Sequence, residues 1–121
     1  MKNVWRDWWF YAVAVVSAPP TDLAAAVSGA NVVLTWTDGA EDNTDYSIER
    51  RDVTAGDAFA EIDTTGDGDA ETYTDVGPFT AKHRYQYRVV VVGGASDGEP
   101  SNEVGIFGGS SHGRRLRRAG Y

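Results

Sequence analysis

The chain contains no cysteine. No disulfide can therefore staple it, and no thiolate is available as nucleophile or metal ligand. Any folded state of its 121 residues rests on packing and strand pairing. Histidine is scarce as well: His83 lies in a turn beside Lys82 and Arg84, and His112 in a glycine-serine stretch. Neither sits near a G-x-S-x-G nucleophile motif, so the chain is read as non-enzymatic, with no cofactor expected. It has no RGD tripeptide, no internal repeat and no run of about 18 apolar residues that could span a bilayer. Helical periodicity is also missing.

What is present is an apolar content of 41%, enough to exclude full disorder, and a lopsided charge. The net charge is −7. From Pro19 to Phe107 there are 17 acidic and 5 basic residues, a balance of −12, while the first 18 residues carry +1 and the last 14 carry +4. An acidic body repels phosphates, which argues against nucleic acid as its partner; only the arginine tail could contact it. The same asymmetry lets the tail of one copy attract the body of another.

After Pro19-Pro20 a strand pattern sets in. Leu23–Val27 reads as a first strand and Ser28-Gly29-Ala30-Asn31 as a turn. Val32, Leu34 and Trp36 then alternate with Val33, Thr35 and Thr37, which gives a half-buried strand with a large apolar face. Tyr46 and Ile48 share a face of the next strand. A short strand carries Phe59 and Ile62, and Thr72–Asp75 carries Tyr73. Tyr85, Tyr87, Val89 and Val91 face one way on the longest strand, and Val104 and Ile106 mark the last. Seven short strands separated by turn signals predict an all-β, antiparallel sandwich. Its core is expected to hold Trp36, Tyr46, Tyr73, Tyr85, Tyr87 and Val89.

These segments, in this order and spacing, resemble a fibronectin type III domain. APPTDLAAAVSGANVVLTW resembles the family's opening, with Trp36 on its second strand. DYSIERR resembles the third strand, TYTD with KHRYQYRVVVV the fifth and sixth, and SDGEPSNEVGI the approach to the seventh. The resemblance implies that Tyr85 is a tyrosine-corner residue. Where the family usually has a leucine before the sixth strand, this chain offers Val76 or Phe79. The predicted organisation is an extended aromatic N-terminal arm (1–18), a fibronectin type III-like domain (19–107) and a Gly/Ser-Arg basic tail (108–121).

Two loops concentrate carboxylates. Asp67, Asp69 and Glu71 alternate in a flexible loop, a pattern that suits calcium, yet the EF-hand spacing is incomplete and the loop is read chiefly as solvated. Asp38, Glu41, Asp42 and Asp45 form a second acidic loop. The terminal segments supply the candidate partner-binding residues: Trp5, Trp8, Trp9 and Phe10 in the arm, and Arg114, Arg115, Leu116, Arg117, Arg118 and Tyr121 in the tail. Tryptophan and arginine are frequent interface hot spots, and an extended arm can add a strand to a neighbour's sheet. The expected function is a structural or interaction protein whose arm and tail bind neighbouring subunits, including copies of itself. Resemblance points to a tailed-phage virion component, such as a capsid decoration protein or a tail or head–tail accessory subunit. The alternative is a secreted bacterial adhesion or carbohydrate-binding accessory module. In that case MKNVWRDWWFYAVAVVSA would be a signal peptide, although three tryptophans and Asp7 crowd its front and Pro19 would follow the cut. A membrane-interface anchor is a third reading of the arm.

Overall fold

The computed structural model describes residues 17–107. Seven strands run in order: β1 (Thr21–Ser28), β2 (Asn31–Thr37), β3 (Asp45–Asp52), β4 (Ala60–Thr64), β5 (Thr72–Asp75), β6 (Arg84–Val92) and β7 (Val104–Phe107). They form two antiparallel sheets, ordered β1-β2-β5 and β4-β3-β6-β7. All seven expected strands are present, but Phe59, expected on the fourth, lies just before β4, because a register shift against β3 near Glu49 turns it to the outer face. The arm up to residue 16, with Trp5, Trp8, Trp9 and Phe10, and the tail, with Arg114, Arg115, Leu116, Arg117, Arg118 and Tyr121, lie outside the described residues.

The core follows from period-two alternation. Val32, Leu34 and Trp36 are buried on β2, while Thr35 and Thr37 are exposed. Opposite them, β6 buries Tyr85, Tyr87, Val89 and Val91, and β3 buries Tyr46 and Ile48. Trp36 meets Tyr46 edge-on with ring centroids 5.7 Å apart, a geometry that the ring quadrupoles favour. The β1–β2 hairpin closes through Gly29-Ala30, flanked by the Ser28–Asn31 pair. Gly29 has φ 61°, which a two-residue hairpin turn needs and glycine adopts without steric penalty.

Tyr73 departs from expectation. It is half-buried at the edge of the core rather than inside it. The reason is topological: β5 is an edge strand, so its inward side chain looks out past the rim of the facing sheet. There the Tyr73 hydroxyl donates to Asp63 Oδ2 at 3.0 Å, joining β5 to β4. Partial burial and this bond raise its pKa to about 12. The opposite flank is joined by Asn102, whose amide donates to the Leu23 carbonyl at 3.0 Å and accepts the Leu23 N–H at 2.9 Å. Side chains thus stitch both open sides of the sandwich.

Candidate functional site

The two ends of the sandwich differ in chemistry. At one end lie the β2–β3, β4–β5 and β6–β7 loops; at the other lie the β1–β2, β3–β4 and β5–β6 turns. The first end carries ten carboxylates, four in residues 38–45, three in 65–71 and three in 93–103, and no Lys, Arg or His. It is an acidic pole.

Several of these carboxylates act as backbone acceptors, which shapes the loops into one unit. Asp45 Oδ1 accepts the N–H groups of Tyr46 at 2.7 Å and Gly66 at 2.8 Å, and the Thr65 hydroxyl at 2.9 Å. Burial opposes ionisation of Asp45, but these bonds prevail and hold its carboxyl below the ordinary value. Glu71 Oε2 accepts from Asp38 N at 2.8 Å, and Asp42 Oδ2 from Ala95 N at 2.9 Å, so each loop is tied to its neighbour. The loops approach so closely that a Cβ on Gly68 would strike Asn43 and one on Gly94 would strike Asp42. The Tyr46 hydroxyl donates to Asp38, and burial together with that carboxylate pushes the phenol well above its usual range. The chain enters at this pole: Ser17 pairs with Ala40, and its hydroxyl donates to Ser96 Oγ at 2.8 Å.

Of the calcium candidates, Asp67 Oδ1 is turned back onto the Asp69 N–H at 2.8 Å and Glu71 onto Asp38. Among the described residues no group of three or more His, Cys, Asp or Glu side chains is arranged to hold a metal ion.

The opposite end keeps much of its polarity inside. Asp75, only 3% exposed, reaches from β5 into the gap between the sheets. Its Oδ2 accepts from Arg50 Nη1 at 2.8 Å and from the Tyr87 hydroxyl at 2.6 Å, and its Oδ1 accepts the Gly77 N–H at 2.9 Å. Burial works against the Arg50 charge, yet Asp75 more than offsets it and raises the guanidinium pKa. Burial and the same carboxylate push the Tyr87 phenol far above its usual range. The Arg50 guanidinium also stacks over Phe79 and Tyr85, at 5.1 and 5.3 Å from the ring centres.

Beside this network the Tyr85 hydroxyl accepts the Thr80 N–H at 2.6 Å, five residues upstream. Phe79 packs edge-on against Tyr85 at 5.2 Å, whereas Val76 is 70% exposed. Phe79 therefore fills the position the sequence left open between the two. A tyrosine that binds back across the turn before the sixth strand, in a three-plus-four sandwich, is the tyrosine corner that the resemblance implied. The fibronectin type III domain model matches residues 18–107. The chain belongs to the fibronectin type III family.

Domains of this family are typically non-catalytic modules that mediate protein–protein contacts. Similar solved structures include the fibronectin type III domain of human collagen XX, 21% identical, with TM-score 0.60 over 79% of this chain and 97% of that one. Another is the domain from human fibronectin type III domain containing protein 3, 19% identical, TM-score 0.56, covering 80% and 90%. Pectate lyase PelI from Erwinia chrysanthemi is 22% identical, TM-score 0.62; the match covers 73% of this chain and only 28% of the lyase. At these identities the likeness is one of fold. No curated protein matches the chain.

The outer face of the four-stranded sheet carries most of the domain's positive charge. Arg84, Gln86 and Arg88 of β6 project outward, opposite the buried tyrosines. Phe59, just before β4, has two guanidinium groups over its ring, Arg51 at 4.7 Å and Arg88 at 4.4 Å from its centre. Arg88 also pairs with Glu49 at 2.6 Å, and Arg51 Nε donates to Gln86 at 2.8 Å. Gly105 leaves a dent in this face, a groove of about 320 Å³ lined by Val53, Arg84, Gln86, Ile106 and Phe107. Sequence reading passed over both this face and Asp75, because each joins residues from strands far apart in the chain. Strand alternation alone could have placed Arg84, Gln86 and Arg88 on one face. No helix among the described residues is long and apolar enough to cross a membrane.

Proposed function

We propose that this fibronectin type III domain is a non-enzymatic assembly module whose two terminal segments bind different neighbouring proteins. One observation carries the reading: the chain enters at the acidic pole, at Ser17, and leaves at the opposite end, where Phe107 pairs with Arg84. β6 covers nine residues, so the poles lie about 30 Å apart at roughly 3.3 Å per residue. The aromatic arm and the arginine tail therefore start from opposite ends of a stiff body, and one copy can engage two neighbours at once. A tailed-phage particle, as a decoration protein or a tail or head–tail subunit, is the setting proposed for this lacing. Removing residues 108–121 is expected to leave the sandwich folded and abolish incorporation into the assembly. Normal incorporation of the shortened protein would refute the role of the tail.

A second reading, an accessory module of a secreted carbohydrate-acting or adhesive protein, is favoured by the Arg51–Phe59–Arg88 cluster, since an aromatic ring beside cations suits an acidic sugar. Against it, both guanidinium groups already cover the ring. Titration with polygalacturonate decides: binding lost in Phe59→Ala would favour this reading, and no binding would remove it.

A further inference from the structure

We infer that the groove beside Phe107 is the seat for a second copy of this chain, docked head to tail with its acidic pole and aromatic arm against the first copy's basic end. The inference rests on the assembly reading above and names the partner and the contact.

The charges of the described domain are segregated along its long axis. The acidic pole holds ten carboxylates and no base, whereas Arg51, Lys82 and Arg84 cluster at the other end. Three carboxylates lie at that end: Asp75 is buried on Arg50, Asp52 Oδ2 meets His83 Nδ1 at 2.6 Å, and Asp57 is exposed beside Arg51, which leaves this end with a small positive excess against the strongly negative pole. Arg84 makes no ion pair within the described domain. Two like poles repel, while unlike poles attract and steer approach. That favours a heterologous contact over a two-fold one and lets the contact repeat along a chain of copies.

The groove supplies what charge alone cannot, a place for an apolar anchor. Its floor exists because Gly105 faces outward without a side chain, and its wall is Phe107, a ring 48% exposed. Trp8, Trp9 and Phe10 lie seven to nine residues before Ser17. At full extension that reaches roughly 25–30 Å. In a head-to-tail pair, Ser17 of the second copy stands next to the first copy's groove, well within this reach. The four arginines of residues 108–121 follow Phe107 directly in sequence and add positive charge to the chain on the side of the basic end.

The test uses the full chain and two broken ends. Arg84→Glu spoils the basic end. Glu41→Lys with Glu99→Lys spoils the acidic pole at side chains that accept no hydrogen bond among the described residues. Gly105→Gln fills the groove; a Cβ there lies 3.5 Å from the Tyr85 carbonyl, ordinary contact that β7 tolerates. Sedimentation velocity at low salt is expected to show concentration-dependent association of the parent chain, lost at about 1 M salt, where screening shortens to about 3 Å. Each variant alone should associate at least about tenfold more weakly with an unchanged unfolding temperature. Mixing Arg84→Glu with Glu41→Lys/Glu99→Lys should restore association, since each supplies the intact end the other lacks. Tryptophan emission should shift blue on association. A mixture that stays monomeric, or variants that associate like the parent, overturns the head-to-tail contact. A parent chain that never self-associates overturns it too, while the tail-deletion experiment still decides the assembly reading with other proteins.

Discussion

The two poles of this sandwich use carboxylates in opposite ways. At the acidic pole Asp45, Asp42 and Glu71 accept backbone N–H groups, so the loops are tied down and the negative charge stays outside. At the other end Asp75 is pulled inside onto Arg50 and Tyr87, and its charge is cancelled within the core. A carboxylate on backbone donors shapes a surface without neutralising it. A buried one must have a cation and leaves nothing for a partner to read. The acidic pole thereby keeps its charge exposed to solvent, and the Asp75 cluster is a clamp between sheets.

The sharpest way to break this contrast is Asp75→Ala. It leaves the Arg50 charge and the Tyr87 hydroxyl buried without an acceptor, and should cost about 3–5 kcal/mol in urea unfolding. The double variant Arg50→Met/Asp75→Leu should recover the part of that loss due to the stranded Arg50 charge, while the Tyr87 hydroxyl still lacks its acceptor. Trp36→Ala removes the largest side chain of the core and should cost a similar ~3–5 kcal/mol. Its ring packs on Tyr46 and its backbone N–H meets the Glu71 carbonyl at 3.1 Å, next to the acidic pole and away from Asp75, and so it calibrates how much of the clamp's effect is packing. Tyr85→Phe keeps the ring over Phe79 but deprives Thr80 N–H of its acceptor; about 1–2 kcal/mol is expected by thermal unfolding.

Asp45 provides the smallest effect and the clearest sign. Its folded pKa is depressed, so its contribution is complete above the unfolded value near 3.8 and is lost as pH falls through the folded value. Asp45→Asn should flatten the loss of stability below about pH 4 and leave the neutral-pH charge pattern otherwise intact. An unchanged acid limb would show that the backbone bonds at this pole do not depend on the carboxylate being ionised.

Much of the fold was legible because it is written in local alternation. Val32, Leu34 and Trp36 on β2, and Tyr85 to Val91 on β6, announce buried faces through a two-residue period that no distant contact is needed to read. Phe59 was less so: it sits just outside β4, on the outer face beside two arginines, because β4 slips register against β3 near Glu49. Tyr73 looked like core by type, yet its strand is an edge. Asp75 gave no signal, since a carboxylate ending a strand ordinarily faces water.

Sequence alone determined the strands, their inward faces, the absence of thiol chemistry and the excess of acid over base, since each depends on residue type and spacing along the chain. Only the tertiary structure decided which carboxylates gather at one pole, that Asp75 turns inward, and that Gly105 opens a groove beside Phe107. Those features join residues dozens of positions apart, and the pairing of strands, unlike their formation, is set by how two whole sheets pack.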